Sequence, residues 1–167
     1  MISSTKKLTF LGVLASVALI LSYIEAILPP IYAAVPGIKV GLPNVVILFL
    51  LYRYGVKEAA AVSFIRLIVS MMLFGSPTMF IYSLAGAVLS LIFMAILKKT
   101  KLFSSIGVSV VGGVMHNLGQ VLCAMFLLET AEIGYYMFVL VISGTLAGIF
   151  IGLLGGILLD KLNAKKH

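Results

Sequence analysis

Acidic side chains are scarce in this 167-residue chain: it has five, and Asp160 is its only aspartate. Diphosphate chemistry relies on aspartate clusters that hold Mg²⁺, and none can be built here. A Ser/His/Asp set fails as well, because Asp160 sits at the far end of an apolar run, remote in depth from His116. Cys123 is the only cysteine, which excludes an intrachain disulfide and a cysteine metal cluster; within an apolar stretch it serves as a small filler. The second histidine is His167, so His116 has no companion for a metal site. A glycine-rich phosphate loop ending in Lys-Ser/Thr is absent too, so the chain cannot energise transport by itself. Neither catalysis nor a cofactor is expected.

Charge of either sign is rare. Charged residues make up 10% and hydrophobic residues 62%, against roughly 25% and 45–50% in soluble domains. A soluble protein of this size could not solvate such a surface. What is present is a series of apolar stretches: Leu8–Leu28, Pro43–Tyr52, Lys57–Phe74, Thr78–Leu97, Ser105–Leu128 and Ile133–Leu159. A hydrocarbon core ~30 Å thick needs about 20 helical residues, so the short second stretch must borrow from the loop before it. The expectation is an all-α membrane protein, a single compact bundle of six transmembrane helices over residues 1–167.

The net charge of +7 is a topology signal. Lys6, Lys7, Arg53, Lys57, Lys98, Lys99, Lys101, Lys161, Lys165 and Lys166 flank the stretches and share one side if both termini are cytoplasmic. That leaves Lys39 outside and Arg66 within the bilayer. So little soluble basic surface speaks against nucleic acid. The first stretch exceeds the 7–15 apolar residues typical of a secretory signal and is read as a retained helix.

The connection from Pro29 to Leu42 holds three prolines and two glycines, which forbid a regular helix. Its apolar side chains fit two readings, an interfacial segment anchored by Tyr32 or a lid folded over a cavity at the outer ends of the helices. Proline at position 43 suits the first turn of the second helix.

Polar groups inside the stretches are few and costly. Arg66 lies near the middle of the third, where an unpaired charge costs at least ~2.5–3.5 kcal/mol, and Ser63 and Ser70 share its face. Glu25 lies about one turn from the outer end of the first helix. A Glu25–Arg66 pair bracing two helices and an Arg66 that holds a ligand group both fit. His116, Asn117 and Gln120 occupy one sector of the fifth helix, as cavity donors or as interhelix hydrogen bonds. Tyr82, Ser83 and Asn44 reach a similar outward depth. The candidate substrate-binding set is therefore Glu25, Lys39, Asn44, Arg66, Tyr82, His116, Asn117 and Gln120.

Small residues form a second pattern. Gly144, Gly148, Gly152 and Gly156 recur every four residues, a groove for a neighbouring backbone that is expected to pack within the chain. Gly12, Ala15, Ser16, Ala18 and Ser22 form a stripe on the first helix, which serves either internal packing or docking onto another membrane subunit.

Several segments carry a family resemblance: Ser22-Tyr-Ile-Glu25-Ala-Ile-Leu-Pro29, Pro36-Gly-Ile-Lys39-Val-Gly41-Leu-Pro-Asn44, Tyr54-Gly-Val-Lys57-Glu58-Ala, Arg66 and Leu73-Phe-Gly75-Ser76. Together they resemble the bacterial membrane proteins named heptaprenyl diphosphate synthase component I. That group is also labelled a Gx transporter family, and is similar to the substrate-binding S components of energy-coupling factor transporters. The resemblance implies a six-helix S-component fold in the cell membrane, with an outward pocket capped by the first loop. It also implies partners, a coupling transmembrane subunit and two ATPases. S components commonly dock through Ala-x-x-x-Ala on the first helix; the nearest equivalents are Gly12-x-x-x-Ser16 and Ala18-x-x-x-Ser22. The expected function is capture of a small, partly apolar nutrient or isoprenoid- or quinone-related precursor. The alternative is a non-catalytic membrane partner of a prenyl diphosphate synthase, and a third reading is a small channel or carrier.

Overall fold

Every long apolar stretch becomes a helix, bounded by residues that cannot continue one. The computed structural model describes residues 4–28 and 41–164, with all side chains among them except those of 4, 136 and 162–164. Six α-helices follow in order: α1 Ser4–Ile27, α2 Asn44–Arg53, α3 Val56–Leu73, α4 Pro77–Thr100, α5 Ser105–Leu128 and α6 Met137–Ala164. A 3-10 turn, Ala131–Tyr136, precedes α6, so the sixth helix starts four residues later than position 133. Gly134 within that turn is a poor α-helix residue. Most of the expected lid, with Lys39, lies outside the described residues.

Local chemistry sets the boundaries. Gly55, at φ +115°, turns the chain between α2 and α3, a conformation a side chain would disfavour. Ser76 caps α4 by accepting from the Met79 N–H at 3.2 Å, with Pro77 in the first turn, and Ser104 caps α5 through the Gly107 N–H at 3.2 Å. Such caps satisfy amide groups that have no partner inside the helix.

Four helical segments are long and apolar enough to cross a membrane: Thr5–Ile27, Pro77–Thr100, Ser105–Leu128 and Met137–Lys161. The other two differ for separate reasons. α3 has 18 residues but carries Lys57, Glu58 and Arg66. α2 has only 10 residues, about 15 Å of helix, roughly half a hydrocarbon core. It is nonetheless the centre of the bundle, with every side chain from Asn44 to Leu51 buried. A helix apolar on all sides belongs inside.

The last three long helices are locked by glycine. A Cβ on Gly148 would stand 2.5 Å from the Val110 Cα, and one on Gly152 would stand 2.7 Å from the Ile106 Cα. Gly113 and Gly144 face each other backbone to backbone. On the other side of α5, a Cβ on Gly119 would meet the Ala85 carbonyl oxygen at 2.7 Å. The α6 glycine stripe thus packs within the chain, as its spacing predicts. α2 lies against α3 and α6, and α1 packs mainly on α3.

One end of the bundle gathers basic groups. Lys7 Nζ pairs with Glu58 Oε1 at 2.6 Å and lies 5.8 Å from the Tyr54 ring centroid. Lys98 Nζ donates to the Leu51 carbonyl at 2.5 Å and sits over the Tyr52 ring. Phe10 completes the cluster against Phe49 and Tyr54. The start of α1, the α2–α3 turn and the end of α4 therefore share one end.

Candidate binding site

Towards the opposite end, polar side chains from α1, α2, α3 and α5 converge in the interior. Glu25, Asn44, Arg66, His116, Asn117 and Gln120 are all at most 9% exposed. Sequence spacing supplies the convergence: each lies on the face its helix turns to the bundle, because lipid would leave it unpaired.

Glu25 works on the chain that leads into α2. Its Oε1 accepts a short hydrogen bond from the Gly41 N–H and a longer one, 3.4 Å, from the Leu42 N–H. Gly41 has φ +91°, and a Cβ there would stand 2.6 Å from Asn44 Nδ2 and 3.4 Å from the His116 ring. Gly41 is thus the point where Glu25, Asn44 and His116 meet.

Arg66 makes its direct contact with α1: Nη1 donates to Ser22 Oγ at 3.1 Å, while that hydroxyl donates to the Ala18 carbonyl at 3.0 Å. Glu25 acts on Arg66 electrostatically, as Arg66 does on His116. Within α5, Gln120 Nε2 lies 2.8 Å from His116 Nε2. An amide nitrogen can only donate, so in this orientation His116 Nε2 accepts and the ring proton sits on Nδ1. That nitrogen lies beside the Gly86 backbone without a well-aligned hydrogen bond. Only a glycine leaves this room, since a Cβ at 86 would stand 3.0 Å from Nδ1 and 2.9 Å from Gln120 Cγ.

Several hydrogen-bonding atoms are left over. Among the described residues, Asn44 Nδ2, Arg66 Nε, His116 Nδ1, Asn117 Oδ1 and Ser90 Oγ are buried without a partner. Native interiors pair the large majority of such atoms. Three of the five, on Asn44, Arg66 and His116, belong to residues that gather around one locus, and that distinguishes this region.

The expected residues are not all placed alike. Glu25, Asn44, Arg66, His116 and Gln120 come together. Asn117 turns towards α6 and donates from Nδ2 to the Leu140 carbonyl at 2.8 Å. Tyr82 is 2% exposed but sits in an apolar cluster with Val121, Ala124, Ile133 and Leu140. Lys39 lies outside the described residues. On α1, Ala18 and Ser22 are buried in the bundle instead of lying on an outer docking face; Gly12 and Ser16 are exposed and Ala15 is half-buried. Sequence reasoning missed Ser22 as the Arg66 partner, although its place three residues before Glu25 sets both on one face of α1. It also missed Gly41 and Gly86, whose only signal is the absence of a side chain.

Two recesses follow the seam between α3 and α4. A cleft of about 280 Å³ is lined by Ala60, Ser63, Phe64, Leu67, Leu84, Ala87, Val88 and Leu91. A smaller notch further along is lined by Leu67, Ser70, Met71, Gly75, Ser76, Met79, Phe80 and Ser83. Leu67 belongs to both.

Comparison with known proteins adds one match. Neither the curated proteins nor the solved structures contain a match to this chain. The family model described as heptaprenyl diphosphate synthase component I matches residues 14–158, which covers the whole polar cluster and both recesses. By that match, the chain belongs to the heptaprenyl diphosphate synthase component I family.

Proposed function

We propose that the chain is a solute-capture subunit of the bacterial cell membrane, built like the S component of an energy-coupling factor transporter. The observation that carries this reading is the set of buried atoms without a well-aligned hydrogen bond on Asn44, Arg66 and His116. Hydrogen-bonding capacity left open inside a bundle is costly, and a bound solute would satisfy it. In this reading all six helices cross or enter the bilayer, α2 completes its crossing with residues of the loop before it, and both termini face the cytoplasm. The basic end of the bundle is the cytoplasmic one. The polar cluster then opens outward. The chain itself is not an enzyme and needs no cofactor. A coupling transmembrane subunit and two ATPases drive release, and docking uses the exposed side of α1 around Gly12 and Ser16.

Native mass spectrometry of the gently purified protein tests the reading by finding a retained small molecule. Arg66→Ala and His116→Ala are each expected to weaken its binding at least about tenfold, the loss of one hydrogen bond to a charged or buried group. Unchanged affinity in both variants would remove the site.

A second reading is favoured by the family description, which names a synthase component. Here the chain is a non-catalytic membrane partner of a prenyl diphosphate synthase, holding a soluble aspartate-rich catalytic chain through its basic end and receiving the lipid product. Co-purification separates the two: a coupling subunit with ATPases supports capture, and a soluble synthase supports anchoring.

A further inference from the structure

Side chains of the polar cluster divide into those with a hydrogen-bonding atom left over and those already engaged. Asn44 Nδ2 and Arg66 Nε belong to the first group. Glu25 Oε1 belongs to the second, because it accepts from the backbone N–H groups of Gly41 and Leu42. A carboxylate bonded in this way to the main chain holds a segment in place.

That segment is the entry to α2, a helix without a side-chain cap of its own: Pro43 occupies the N-cap position and makes no side-chain hydrogen bond. The Glu25 carboxylate brings negative charge to the positive end of the helix and binds the two amides just ahead of it. From Gly41 the hold passes to Asn44 by two routes. The Gly41 carbonyl accepts from the Asn44 N–H at 2.9 Å, which closes the turn that starts the helix. The Asn44 side chain also rests so closely on Gly41 that a Cβ there would stand 2.6 Å from Nδ2 and 3.5 Å from Cγ. Gly41 therefore cannot shift without moving the Asn44 amide. Ser22, three residues before Glu25 on the same face of α1, holds Arg66 instead.

Building on the capture reading, we infer that Glu25 is a positioning residue: through Gly41 it seats the Asn44 side chain, and its effect on solute binding runs through Asn44. Hydrogen–deuterium exchange of the full chain in nanodiscs, read by mass spectrometry, follows the amides from Gly41 to Val46, with folding checked by circular dichroism. Glu25→Ala is expected to speed their exchange at least about tenfold, the loss of one charge-assisted hydrogen bond, with α5 unchanged. Glu25→Asp, which retracts the carboxylate by one methylene, takes its place if Glu25→Ala does not fold. Ser22→Ala, the control on the same helix face, should leave these amides as in the wild type. Glu25→Gln keeps an acceptor oxygen at the same reach and should restore protection to within about threefold.

Solute binding is read in the same variants by native mass spectrometry, as the fraction of protein still carrying the co-purified small molecule after serial dilution. Glu25→Ala should weaken retention at least about tenfold alone, but by less than about twofold when Asn44→Ala is already present, because residues acting as one unit are not additive. Losses that multiply in the double variant, or a Glu25→Gln variant that behaves like Glu25→Ala, overturn the positioning role and leave capture standing. Unchanged exchange in Glu25→Ala overturns it as well, whether or not a small molecule is retained. A wild-type preparation that retains none removes the capture reading, while exchange still decides whether Glu25 holds the entry to α2.

Discussion

Glycine-to-alanine exchange should have opposite signs at two positions that look alike in the sequence, Gly148 on α6 and Gly12 on α1. In an exposed helix interior the exchange stabilises by about 0.8–1 kcal/mol, because glycine loses more backbone entropy on folding. Gly12 has nothing within 4 Å of the added Cβ, so Gly12→Ala is expected to be neutral or stabilised by up to that amount. At Gly148 the new Cβ would stand 2.5 Å from the Val110 Cα, 2.8 Å from the Ser109 carbonyl oxygen and 3.0 Å from the Val110 nitrogen. Ordinary carbon contacts are about 3.5–4.0 Å, and the obstacles are backbone atoms with no rotamer to change. α6 must therefore withdraw from α5 by roughly 1 Å, which forfeits a quarter to a half of the dispersion energy at each contact that opens. Overpacking of this kind costs about 1–3 kcal/mol. Offset by the propensity gain, Gly148→Ala should be destabilised by up to about 2 kcal/mol, some 1–3 kcal/mol below Gly12→Ala. Unfolding by sodium dodecyl sulfate added to protein in mild detergent, followed by far-ultraviolet circular dichroism, reads the difference. Equal midpoints for the two variants would refute the claim that α5 and α6 touch backbone to backbone.

Three further outcomes follow from the same geometry. Lys98→Met keeps the aliphatic stem but removes the charged donor to the Leu51 carbonyl, so the end of α2 should lose about 1–2 kcal/mol in the same unfolding assay. Lys7→Ala breaks the pair with Glu58, whose side chains are 41% and 20% exposed; the loss should stay below about 1 kcal/mol and shrink further at high salt. Gly41→Ala forces a side chain into φ +91° and against Asn44 Nδ2, so stability should fall by about 1–2 kcal/mol. Ligand retention, measured by native mass spectrometry, should fall with it as Asn44 is displaced.

Helix positions were legible because they depend on local signals. Ser104 and Ser76 as caps, Pro77 in a first turn and Gly55 between two helices mark boundaries whatever surrounds them, and α5 begins and ends where its composition changes. Which residues would be buried was legible only for the polar ones, since Arg66 or Gln120 facing lipid is too costly. Small apolar residues carry no such instruction. The first helix is apolar on every side, and lipid and bundle interior are both apolar, so no periodicity tells Ala18, buried, from Gly12, exposed. The stripe signalled close approach on α6 and left the facing side undefined on α1. Partner choice within the cluster was hidden for a related reason. Among the described residues Glu25 and Arg66 are the only buried acid and base, yet the direct bond of Arg66 runs to Ser22, and Glu25 holds the backbone of Gly41 and Leu42. Those contacts depend on how the loop ahead of α2 returns to the bundle, and no local pattern encodes that.

Glycine also decides where a polar cluster can exist in this fold. Where α5 and α6 meet through Gly113, Gly144 and Gly148, the backbones are too close to admit a side chain of any size. Large polar groups need helices held apart by side chains, and that condition holds where α1, α2 and α3 lean on the α4–α5–α6 unit. Gly86 combines both conditions. It brings α4 against α5 backbone to backbone, a Cβ there standing 2.7 Å from the His116 carbonyl oxygen, and it also leaves room for the His116 imidazole and the Gln120 stem. One glycine thus lets the His116 imidazole project from the locked half of the bundle towards Arg66, which rides on the other half. The charges sit on α1 and α3, and the His116 and Gln120 side chains on the locked unit. A shift between the halves would change the distance between Arg66 and His116 while leaving every glycine contact in place. Ligand affinity in this arrangement should therefore respond to the packing of α3 on α4 far more than to the strength of the α5–α6 contact.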